Sequence, residues 1–133
     1  MEDNLIAFET AKLAKNKGFS IPTKDFFGLI DKSLYALKEG EKWKSENHND
    51  NELMGKNRAS APTQSLLQRW LRETHNIHVT AKVDIVLHRG YGYWLTYLQS
   101  DNTYNQDQFI SYKYLTYEHA LENGLLEALN LIE

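Results

Sequence analysis

Three histidines, His75, His78 and His88, come nearest in type and spacing to a recognisable chemistry in this chain. His75 and His78 form an HxxH, and a metal site needs three or four such ligands converging at ~2 Å. His78 and His88 fall on the same side of one extended segment, where a rise of ~3.3 Å per residue sets them ~33 Å apart. They cannot share an ion. His75 and His78 with an acid such as Asp84 form the one remaining metal set, and solvent-facing histidines are the simpler reading. Ser60, Thr63 and Ser65 cluster before a helix, but no glycine elbow surrounds a nucleophile there, and helix capping accounts for them. Glu118 and Glu122 lie one turn apart, a spacing that suits paired carboxylates and equally a solvated acidic face. Gly90-Tyr91-Gly92 is a turn signal, since no phosphate-binding glycine pattern follows. The sequence therefore assigns no catalytic, cofactor-binding or metal-binding residue.

Aromatic side chains carry more information. Tyr91, Tyr93 and Tyr97 share one face of a strand, Trp94 takes the other with Leu98, and Tyr112 and Tyr114 share a face of the next strand. Cross-strand aromatic pairs stabilise a sheet packed on helices. Left exposed, Tyr91, Tyr93, Trp94, Tyr97, Tyr112 and Tyr114 would instead form a partner surface, because Tyr and Trp are enriched at interface hot spots. The Phe- and Trp-bearing residues 19–43 could cover one sheet face.

The elements that must position these residues centre on Ser60 to Arg89. Leu66, Leu67, Trp70 and Leu71 give a helix one apolar face, with Gln64, Gln68, Arg69, Arg72 and Glu73 opposite. Ser60 or Thr63 caps this helix, Pro62 sits in its first turn, and Asn76 can take the positive φ that ends it. Ile77, Val79, Ala81, Val83, Ile85 and Leu87 then alternate with His78, Thr80, Lys82, Asp84, Val86 and His88, the pattern of a strand with one wet face. Arg89-Gly90 turns into a strand over Tyr91–Leu98, and a third strand follows over Phe109–Leu115. Thr116 caps a final helix whose stripe is Tyr117, Ala120, Leu121, Gly124, Leu125, Ala128, Leu129 and Ile132. Burial of Leu121, Leu125, Leu129 and Ile132 contributes ~1.5–3 kcal/mol each. Gly124 costs ~1 kcal/mol relative to Ala in mid-helix, so it implies close approach to the sheet.

Upstream, a helix is expected over Asn4–Lys17 with Asp3 as N-cap and Gly18 at a Schellman stop. Residues 25–43 read as a hairpin about Asp31–Ser33 or as a short helix, with the hairpin preferred. Residues 44–59 are polar enough to form a mobile loop. The expectation is one α+β domain over 1–133. Its α-β-β-β-α core, residues 60–133, carries an antiparallel sheet with helices on one face. An N-terminal helix and an irregular or hairpin segment (1–43) precede it.

Composition sets bounds. The 133 residues include no cysteine, which removes disulfides, thiolate metal sites and cysteine nucleophiles. The amino terminus shows no basic-then-apolar leader, and no apolar run approaches the ~18 residues a membrane span needs, so a cytoplasmic location is expected. The net charge of −3 falls wholly in residues 61–133. A surface that tracks phosphates would have the opposite bias.

The α-β-β-β-α order resembles the double-stranded-RNA-binding domain over just over half of the chain. In that family a lysine-rich start to the last helix holds phosphates across the major groove. Here that start reads Thr116-Tyr117-Glu118-His119-Ala120-Leu121-Glu122, with acids where phosphate ligands should stand. The blocks FETAKLAKNKGF, SAPTQSLLQRWLRETHNIHV and TYEHALENGLLEALNLI resemble a family of small uncharacterised proteins from phages and mobile elements of gut bacteria. That resemblance implies a mobile-element setting, an intracellular location and no catalytic residues. The expected function is a non-enzymatic accessory protein that binds a protein partner, a second copy of itself included, with no cofactor. The alternative is duplex RNA or DNA binding through Arg69, Arg72, Lys82 and Arg89.

Overall fold

The computed structural model describes residues 4–36, 48–49, 57–84, 90–98 and 103–132, with the backbone alone for 104–112. The chain divides into two compact units, Met1–Thr63 and Gln64–Glu133. Among the described residues, three helices and two three-stranded antiparallel sheets make the α+β class plain.

In the first unit, α1 runs from Phe8 to Asn16, four residues later than the sequence suggests. Ala7 occupies the N-cap without a side-chain hydrogen bond. The reason lies in Leu5 and Ile6. Leu5 bridges antiparallel to Thr63, and the buried Ile6 donates its amide to the Pro62 carbonyl at 3.0 Å, so this backbone is committed to extended pairing. The other end is the expected Schellman stop. Gly18 has φ 96°, its amide reaches the Lys15 carbonyl, and the buried Phe19 donates to the Ala14 carbonyl at 3.0 Å.

The preferred hairpin is present as β1 (Asp25–Gly28) and β2 (Leu34–Ala36), paired through Phe26↔Tyr35. Lys32 takes φ 59° in the turn, where Asp31 accepts from the Ser33 amide at 3.1 Å and from the Tyr35 hydroxyl. The Tyr35 hydrogen bond, then that of Ser33, holds the Asp31 carboxyl below its usual range. A third strand, β3 (Arg58–Ser60), pairs with β1 and completes the order β2-β1-β3. Composition places Arg58 and Ala59 in a polar loop, and the sequence offers Ser60 as one of two helix caps, yet all three are strand. Three residues with one small apolar side chain carry no strand period, whereas the backbone ladder to β1 needs none. Of the remaining loop assignment, all but His48, Asn49 and Asn57 lie outside the described residues.

Polar side chains pin this unit. Asn49 donates to the Phe19 carbonyl at 2.7 Å and accepts from the Ser60 amide at 2.8 Å. His48, fully buried and stacked on Phe26 at 4.4 Å, has Nε2 at 3.0 Å from the Thr23 carbonyl. A carbonyl only accepts, so Nε2 carries the proton, and Nδ1 accepts from the Arg58 guanidinium at 3.5 Å. Lys15 donates to the Arg58 carbonyl at 2.6 Å.

In the second unit, α2 (Gln64–His75) leads through Asn76, at φ 57°, into β4 (Ile77–Val83). Pro62 lies ahead of this helix rather than in its first turn. β5 (Tyr91–Leu98) and β6 (Tyr104–Tyr114) complete a sheet of order β4-β5-β6, and α3 (Tyr117–Asn130) packs with α2 against it. The α-β-β-β-α order and the helices on one sheet face are as expected. Thr116 caps α3 by accepting from the His119 amide at 3.1 Å.

Several details depart from the pattern. Regular pairing of β4 ends at Val83, which is 46% exposed, because the helices cover only Ile77, Val79 and part of Ala81. Ile85, Leu87 and the other residues of 85–89 lie outside the described residues. Strand β6 begins at Tyr104 and absorbs the polar stretch read as a loop, since an edge strand needs backbone partners more than apolar side chains. Gln64, placed by periodicity towards solvent, is 3% exposed; its amide donates to the Glu118 carbonyl at 2.8 Å and to Glu122 Oε1 at 3.1 Å. Tyr117 and Ile132, the ends of the α3 stripe, are exposed and half-buried respectively, because the helix is seated from Ala120 to Leu129.

A Cβ on Gly124 would stand 2.8 Å from Val79 Cγ1 and 3.1 Å from Tyr93 Cγ, confirming the close approach. Gly124→Ala is therefore expected to lower stability by about 1–2 kcal/mol in urea unfolding, against the ~1 kcal/mol that Ala gains in an open helix. Asn49→Ala leaves the buried Ser60 amide without its acceptor. Unfolding should detect a loss of roughly 1–3 kcal/mol in the first unit, accompanied by faster amide exchange at Ser60.

Candidate functional site

The alternation of β5 sorts the aromatic set. Val79 and Tyr93 meet α3 at Gly124, so Tyr91, Tyr93, Leu95 and Tyr97 belong to the helix side of the sheet. Tyr93 and Tyr114 are only 5% and 8% exposed, with ring centroids 6.2 Å apart, and they form core rather than open surface. Burial first, then Tyr114 and Glu127 nearby, pushes the Tyr93 hydroxyl up to about 12, so it stays neutral. Tyr91 meets the exposed Tyr117 edge-on at 6.4 Å, and Tyr114 meets His119 at 5.0 Å. The side chain of Tyr112 lies outside the described residues.

Trp94 stands alone on the opposite face among the described side chains of this set. Cross-strand register places it against Thr80, with His78↔Thr96 and Lys82↔Gly92 on either side. Lys82 Nζ lies 3.5 Å from the centroid of its ring. The Trp94 Nε1–H is covered and has no hydrogen-bond partner among the described residues. An indole donor left unpaired in this way is costly, and a partner carbonyl or carboxylate would relieve it.

Tyr97 has a different setting. It shares with His75, Ile77, Leu98, Leu131 and Ile132 the wall of a cavity of about 430 Å³, where both helices end beside the end of β5. Sequence reasoning missed this site. Its signals were the histidine that closes α2 ahead of the Asn76 stop and the apolar Leu131-Ile132 that continues beyond the seated part of α3. The His75 ring is half-buried and edge-on to Trp70 at 4.7 Å. Burial lowers its pKa below the ordinary 6.5.

The remaining candidates do not converge. Arg69 pairs with Glu73 at 3.1 Å on the exposed side of α2, and Arg72 is exposed on the same helix. Lys82 lies on the sheet face turned away from both helices, and Arg89 is outside the described residues. The three described cations thus occupy opposite sides of the unit. Glu122 is engaged by Gln64, and Ser60 Oγ, in β3, has no partner among the described residues. No group of three or more His, Asp or Glu among the described residues could hold a metal ion. No helix is long and apolar enough to cross a membrane among the described residues.

The depressed His75 pKa has a consequence for stability. The folded state disfavours the imidazolium, so His75 contributes fully above the unfolded value of 6.5 and loses that contribution as pH falls through the lower folded value. Urea unfolding between pH 7.5 and 5 should show this decline, and His75→Phe should flatten it. Searches of family models, of curated proteins and of solved structures find no match to this chain.

Proposed function

We propose that this chain is a non-enzymatic accessory protein that acts through protein–protein contacts on the face of the second sheet turned away from α2 and α3. The supporting observation is Trp94, a half-buried indole whose N–H has no partner among the described residues, roofed by Lys82 and flanked by Thr80, Thr96 and His78. A rigid aromatic anchor inside a polar rim is the make-up of an interface hot spot. Lys82 over the ring gains most when a partner excludes water, where a cation–π contact is worth ~2 kcal/mol. The partner is a protein of the same cell or a second copy of this chain. The three sequence blocks resembling phage and mobile-element proteins support that origin and a cytoplasmic place of work.

Crosslinked affinity capture from the host with wild type and Trp94→Ala tests this reading. Wild type should retain a partner, or dimerise in sedimentation, and Trp94→Ala should weaken that association by roughly 30-fold while the unit remains folded. Undiminished association would overturn the assignment to this face. A low-salt mobility shift of duplex RNA or DNA, lost on charge removal at Arg72 or Lys82, would favour the nucleic-acid alternative.

A further inference from the structure

The cavity walled by His75, Ile77, Tyr97, Leu98, Leu131 and Ile132 lies where α2 and α3 end beside the end of β5, and Trp94 is not among its lining residues. We propose that it binds a small, uncharged, mainly apolar molecule with a single hydroxyl, of the phenol or alcohol class, and that the His75 imidazole is its polar anchor.

Size, lining and charge each narrow the class. At about 430 Å³ the cavity falls within the ~300–1,000 Å³ range of small-molecule sites. Four of its six lining residues are aliphatic, so most of the occupant must be apolar. Among the described residues no Lys, Arg, Asp or Glu lines it, so none of them offers a charged ligand a counter-charge. The His75 ring makes an edge contact to Trp70 but no hydrogen bond among the described residues. A neutral imidazole presents one ring N–H and one bare ring nitrogen. Its bare nitrogen accepts from a ligand O–H, while Trp70 holds the ring plane. Desolvation keeps the imidazole neutral, which favours a hydroxyl over an anionic carboxylate.

Titration of the isotope-labelled full chain with p-cresol, toluene and p-toluate, followed by amide NMR, tests the proposal. Saturable shifts are expected at His75, Leu98, Leu131 and Ile132, with p-cresol roughly fivefold tighter than toluene through its one hydrogen bond. p-Toluate should not saturate. His75→Phe should erase the advantage of p-cresol while toluene still binds. Ile132→Trp, at a half-buried lining position beyond the seated part of α3, should block both. Absence of saturable shifts, shifts mapping elsewhere, or tighter binding of p-toluate would overturn the proposal. Equal affinities of p-cresol and toluene for wild type would remove His75 as anchor, even if His75→Phe failed to fold. The outcome is independent of Trp94, whose substitution should leave these titrations unchanged.

Discussion

The second unit depends on the closeness of one helix to one sheet. With no side chain at Gly124, α3 settles onto Val79 and Tyr93 at a distance that any Cβ would contest. That seating buries Leu121, Leu125 and Leu129 completely or nearly so, and Ala120 and Ala128 are small enough to follow. It also turns Tyr93 and Tyr114 into core aromatics. Because the seated length of α3 ends at Leu129, its last apolar residues are left beside β5 rather than on the sheet, and the cavity at His75 opens there. Gln64, tied to Glu118 and Glu122, fixes the start of α2 against α3 with polar rather than apolar contacts.

The first unit is stabilised by different means. Its strands have three or four residues, too few to bury much apolar area. Asn49 and His48 instead tie Phe19, Thr23 and Ser60 together by hydrogen bonds to backbone. Hydrogen bonds of this kind contribute ~1 kcal/mol each when made, and removing one partner costs more than the bond adds. Such a unit is specified by a few polar positions, whereas the second is specified above all by volume at Gly124.

This contrast explains what the sequence disclosed. Periodicity reports burial on one face of a long element, so α2, α3, the bounds of β5 and the spacing role of Gly124 were legible. Asn76 and Gly18 were legible because positive φ selects residue type. Strand β3 was not, since Arg58, Ala59 and Ser60 carry no period. The late start of α1 depends on pairing between Leu5 and Thr63, far apart in sequence. Among site residues, the sharing of one face by Tyr91, Tyr93 and Tyr97 was readable, but which face the helices would cover was not. The cavity needs four chain ends brought together, and no local pattern encodes that.

Strand β6 forms an outer edge of its sheet, and its register with β5 is broken. Tyr91 pairs with Tyr114 while Tyr93 pairs with Phe109, so residues 110–113 stand opposite the single Gly92. An interrupted ladder bends the strand and spoils the even row of donors and acceptors that an incoming strand would need. The irregularity thus guards the stretch of this margin beyond Phe109 against runaway lateral growth into fibrils.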